Sequence, residues 1–108
     1  MINRLPYKDP ANPDRWTIDT DPDDELYYVA DVRQWLQDSN TTAASFELVT
    51  EGVTVMEQGE PQGDLNGLLP VKLKVPFAGT SQPFCTFRID TEDNQQFDKT
   101  IWFKQVEN

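Results

Sequence analysis

The sequence predicts an all-β domain, an antiparallel β-sandwich, and three observations predict it. Apolar and polar residues alternate in several short runs, the period of a half-buried strand rather than of a helix. The runs recur at roughly 8–12 residue spacing, with turn residues between them, as in sandwiches. Eight prolines and five glycines supply those turns, and no apolar pattern of helical period extends beyond about two turns.

The first stretch differs from the rest. It holds Pro6, Pro10 and Pro13, with Pro22 soon after, and little periodic apolar pattern. Residues 1–20 are therefore expected to form an extended N-terminal arm, and residues 21–108 the sandwich domain. Within the arm only Arg15-Trp16-Thr17-Ile18 reads as a short strand. Tyr7 and Trp16 are large aromatics in a segment with no core of its own. Both are candidate partner-binding anchors, either onto a neighbouring protein or onto the domain itself.

From Glu25 the pattern sharpens. Leu26, Tyr28, Ala30 and Val32 alternate with Tyr27, Val29 and Asp31 in a first strand. Trp35 and Leu36, side by side, break the alternation and suit one short helical turn over the end of a core. Ala44–Val49 and Val53–Met56 read as strands joined at Gly52, where a positive φ costs a glycine little. Residues 57–67 are polar and glycine-rich, a loop. Leu68–Phe77 carries Val71, Leu73 and Val75 on one face and Lys72 and Lys74 on the other. Phe84–Thr91 and Phe97–Val106 close the chain as a hairpin. The expected core comprises Leu26, Tyr28, Trp35, Phe46, Leu73, Val75, Phe87, Ile89 and Trp102.

Charge and composition narrow the function. The chain has 108 residues, enough for one domain, and 19 acidic against 9 basic residues leave it at −10. Phosphate backbones repel such a surface, so nucleic acid is not an expected partner. No run approaches the ~18 apolar residues of a membrane span, and the opening residues do not read as a signal peptide. The chain contains no histidine, which removes the commonest general base and metal ligand. Cys85 is the lone cysteine and sits in an alternating apolar run, as a buried inert thiol would.

Two acidic clusters are candidate sites, the first of them Asp19, Asp21, Asp23, Asp24 and Glu25. In the first, Asp19, Asp21 and Asp23 match the alternation of a calcium loop, but Asp24 stands where its glycine belongs and Ala30 where its bidentate Glu belongs. The second, Asp90, Glu92, Asp93 and Asp98, surrounds the final hairpin without the sugar-stacking cleft that paired carboxylates would need. No catalytic, cofactor-binding or metal-binding residue is therefore expected, and no cofactor. The expectation is a non-enzyme.

Asp21-Pro22-Asp23, followed by Leu26, Tyr28, Asp31 and the pair Trp35-Leu36, resembles the opening of a family of small tailed-bacteriophage virion proteins. Gly79, Phe84–Thr91 and Asp98–Phe103 are similar to its closing stretch. The family's N-terminal Lys-Asp-Pro is matched by Lys8-Asp9-Pro10, so the segment between reads as an insertion. The resemblance implies an immunoglobulin-like sandwich of the fibre-tail adaptor or neck-collar kind. It implies a structural virion protein at the head-tail neck or tail, made in the host cytoplasm, that seats fibres or reinforces the joint. Its partners would be portal, adaptor-ring, tail or fibre proteins, with several copies in a ring. Two other classes stay open: an acidic DNA mimic that inhibits a host nucleic-acid-binding protein, and a carbohydrate-binding β-sandwich.

Overall fold

The computed structural model describes residues 2–3, 7–9, 12–20, 24–76 and 82–105. Among these residues nine strands and one helix run in the order β1 (Ile2–Asn3), β2 (Tyr7–Asp9), β3 (Asn12–Thr20), β4 (Glu25–Asp31), α1 (Arg33–Asp38), β5 (Ala43–Glu51), β6 (Thr54–Gln58), β7 (Leu68–Lys74), β8 (Phe84–Thr91) and β9 (Gln96–Gln105). A 3-10 turn, Asp64–Asn66, precedes β7. The strands form a four-stranded sheet in the order β1-β4-β7-β6 and a five-stranded sheet in the order β2-β3-β9-β8-β5. The two sheets pack face to face as a sandwich.

Period-two patterning decides which side chains meet between them. Leu26, Tyr28 and Ala30 of β4 face inward with Leu69, Val71 and Leu73 of β7. Opposite them lie Cys85, Phe87 and Ile89 of β8, Ile101 and Phe103 of β9, and Phe46 of β5. Phe87 is the hub, its ring centroid 5.9 Å from that of Tyr28 and 6.0 Å from that of Phe46. Burial pushes the Cys85 thiol up to about 12, a protonated, unreactive group. Gly52 turns the corner from one sheet to the other at φ 70°, as its position required.

Seven of the nine expected core residues are buried: Leu26, Tyr28, Phe46, Leu73, Val75, Phe87 and Ile89. Trp35 is only partly buried and packs against the edge of the core. Trp102 is a correction. It lies on the outer face of its sheet, because Ile101 and Phe103 on either side take the inward positions. An adjacent Trp-Phe pair in a strand must send one ring each way, and here the Trp goes out.

One expectation about the N-terminal stretch changes. From β4 onward every strand pair among the described residues is antiparallel, as expected, and parallel pairing enters only where the N-terminal stretch joins the sandwich, β1 beside β4 and β3 beside β9. Neither pair is joined by a hairpin, so no turn imposes the antiparallel sense. Residues 12–20 are a strand of the five-stranded sheet rather than an arm outside it. Thr17, Ile18 and Thr20 are all buried, with Ile18 beside Phe103 in register. Of the two alternatives for this stretch, strapping onto its own domain is the one the pairing realises.

Candidate partner-binding surface

The site builds up from Trp16. On β3, Trp16 shares a face with Ile18 and Thr20, the face turned toward the other sheet. Yet it is 45 % exposed, because it lies at the end of the sandwich where β4 gives way to α1. There a groove of about 460 Å³ opens, and all three tryptophans of the chain, Trp16, Trp35 and Trp102, line it together with Val32, Phe97 and Lys99.

Each ring is set by a different element. The six-residue helix α1 follows directly on β4 and turns Leu36 into the core, which leaves Trp35 at the groove. Trp35 stacks on Phe97 from the start of β9, ring centroids 3.6 Å apart and planes 24° from parallel. Trp102 contributes from the outer face of β9. The Arg15 guanidinium lies 3.9 Å above its ring and Phe84 packs at 5.1 Å. Arg15 also donates a hydrogen bond to the Gln82 side chain, so the cation is fixed over the indole.

Polar groups edge the groove at defined places. The Lys99 ammonium donates to the Asp31 carbonyl oxygen at 3.2 Å, and partial burial lowers its pKa against the opposing attraction of Asp31. The Asp31 carboxylate receives two hydrogen bonds from the Arg33 guanidinium, at 2.9 and 2.8 Å, which lower its pKa. Asp98 pairs with Arg88 at 3.3 Å. A larger hollow of about 720 Å³ lies beside α1, lined by Asp31, Arg33, Gln34, Gln37, Asp64 and Leu65. It is mostly polar and lacks the aromatic walls.

Tyr7, the other expected anchor, has its backbone in β2 opposite Thr17, and its side chain lies outside the described residues. Asp21 and Asp23 of the first acidic cluster lie outside them too. Of its described members, Glu25 pairs with Lys72 at 3.4 Å. In the second cluster Asp93 is structural. Its carboxylate accepts from the Thr41 and Thr91 hydroxyls at 2.8 and 2.6 Å and from the Gln95 amide at 2.8 Å. Asp90 accepts from Gln96 at 2.8 Å. Among the described residues no group of His, Cys, Asp or Glu could hold a metal ion.

The groove combines a half-exposed Trp, a stacked Trp-Phe pair and a cation-capped Trp around a small number of fixed polar groups. Aromatic side chains of this kind supply contact area at low entropic cost and dominate binding hot spots. Of its residues, sequence reading singled out Trp16 as a binding anchor. Trp35 and Trp102 read as core, because their positions in regular elements look like packing positions. Compared with known protein families, curated proteins and solved structures, the chain finds no match.

Proposed function

We propose that this chain is a non-catalytic adaptor, a rigid sandwich that joins other proteins, and that it works as a structural component at the neck or tail of a tailed-bacteriophage particle. The observation that carries the binding part is the groove that all three tryptophans border. A core has no need of a 45 % exposed Trp beside two partly exposed ones. The virion part rests on the Asp-Pro, Leu-x-Tyr and Trp-Leu spacing in residues 21–36. A small sandwich suits such a role, since its rigid ends hold a contact surface in fixed geometry, and weak contacts repeated around a ring gain through effective concentration.

The test is incorporation. Particles purified from a host expressing the chain are expected to contain it at stoichiometric, multi-copy level by quantitative mass spectrometry. Trp16→Ala is expected to lower that level while leaving the chain folded. A chain found only free in the lysate would overturn the virion reading.

The same groove favours a second reading, carbohydrate binding, because indole rings beside carboxylate and amide groups also suit sugar rings. Binding to a glycan array that is lost in Trp16→Ala would select it. The DNA-mimic reading is weaker on geometry. Asp31, Asp90, Asp93 and Asp98 are engaged by neighbouring side chains rather than set out in rows.

A further inference from the structure

At the other end of the five-stranded sheet from β2 and β3 lies β5, and its outer edge pairs with no strand among the described residues. The four-stranded sheet ends on the same side with β6, which joins β5 through Gly52. Between Arg33 and Lys72 the chain carries six acidic residues and no basic one. That stretch contains both edges, and it also holds the exposed apolar residues Val49, Val55 and Met56. Open strand edges, a single sign of charge and exposed apolar side chains therefore coincide.

The hydrogen bonds show which backbone groups are open. The Gln58 side chain donates to the Phe46 carbonyl oxygen at 2.8 Å, so that carbonyl points away from β8. Along a strand, N–H and C=O of every second residue share one side. From Phe46 onward the pairing with β8 is regular, with Leu48 opposite Phe87 and Thr50 opposite Cys85. Leu48 and Thr50 thus turn their backbone N–H and C=O groups outward as well. Gln58 satisfies one carbonyl of the edge and leaves the groups of these two residues facing out.

We infer that the β5 edge is a second docking site, and that it takes an extended, basic strand of a partner protein by sheet extension. The chemistry of that strand follows from the two faces of β5. On the outer face Glu47, Val49 and Glu51 alternate with the inward residues, and Glu47 makes a long contact to Arg88, 3.8 Å. Side chains of an added strand on this face would stand opposite Glu47 and Glu51, within cross-strand reach, and would be Lys or Arg. On the inner face the added strand would meet Leu48 and, across the mouth of the sandwich, Val55. Val55 faces the core by its register with Leu73 yet is 37 % exposed. Side chains there would be aliphatic. A second copy of this chain does not fit, because pairing β5 with β5 would set Glu47 and Glu51 against their own kind in molecules of charge −10. This site lies across the sheet from the tryptophan groove and stands whether or not that groove binds.

The probe is a short synthetic peptide of alternating lysine and valine, titrated into isotopically labelled protein at low salt. The control is a peptide of the same composition with its lysines in one block. The alternating peptide is expected to bind more tightly and to slow hydrogen exchange at the Leu48 and Thr50 amides. Thr50→Pro removes an outward N–H that no strand uses, a substitution edge strands tolerate. It is expected to weaken binding about tenfold, the weight of one backbone hydrogen bond. The double variant Glu47→Lys, Glu51→Lys alters exposed side chains and serves if Thr50→Pro does not fold. It is expected to lose the lysine peptide and to bind an alternating glutamate-valine peptide instead. Equal binding of the blocked peptide, or no change in exchange at Leu48 and Thr50, would overturn the proposal.

Discussion

Asp93 shows how a single acidic residue serves the fold rather than chemistry. It sits in the β8–β9 turn and collects two hydroxyls and an amide, which hold its carboxyl down at about 2 against an ordinary 3.8. A carboxyl depressed in the folded state adds stability that is present above its unfolded pKa and lost as pH falls through the folded one. The contribution should therefore be complete above about pH 4 and fade toward pH 2. Asp93→Asn is expected to lower stability at neutral pH and to flatten the acid limb over that window, read as urea midpoints from pH 7 to pH 2. Parallel limbs for the two proteins would refute the role. At this scale the sequence was informative for the core, since Leu26, Tyr28, Phe87 and Ile89 follow strict alternation. It was silent on Asp93, whose partners Thr41 and Thr91 lie on separate segments, and misleading on Trp102, whose burial depends on which neighbour faces in.

At the scale of elements, the strands from β4 to β9 were legible within a few residues, because each carries its own alternation and its own turn signals. Of the strands before them only the middle of β3 was, as the short strand Arg15–Ile18; β1 and β2 were not. β3 earns its place by lying parallel to β9, far away in sequence, and such a pairing leaves no local mark. The prolines and aspartates around Ile18 suggested an arm, yet Ile18 lies beside Phe103 in the core. Removing that side chain should cost what large-to-small core changes usually cost. Ile18→Ala is expected to destabilise the protein by about 2–5 kcal/mol in chemical denaturation. Deleting residues 1–20 is expected to abolish the cooperative transition, since it would also bare the edge of β9 and the inward face of Phe103. A truncated chain that unfolds at the same denaturant concentration as the full one would return the segment to the status of an arm. The groove was equally hidden, because it gathers β3, the β4–α1 junction and β9, and no window of sequence contains it.

For the whole molecule, the question is whether a sandwich with open edges stays free of its own copies. Edge strands invite pairing, and proteins commonly guard them with charge. Here the long edge β5 carries Glu47 and Glu51 on its outer face, and Glu57 projects from the neighbouring edge β6. The molecule as a whole is at −10, so approach of two copies is opposed at long range as well as at contact. The long-range part is screened over about 10 Å at 0.1 M salt, whereas the like charges placed opposite one another across a paired edge are not relieved so easily. The chain is therefore expected to sediment as a monomer at low salt and to remain largely monomeric at moderate salt. Replacing Glu47 and Glu51 by threonine keeps strand propensity and removes the guard. That double variant is expected to self-associate as concentration rises, and the association should disappear when Thr50→Pro is added, because proline removes an outward N–H from the edge. Sedimentation velocity distinguishes the outcomes. A variant that stays monomeric would show that the glutamates do not guard the edge, and a wild-type dimer at low salt would show that the charge does not prevent self-pairing.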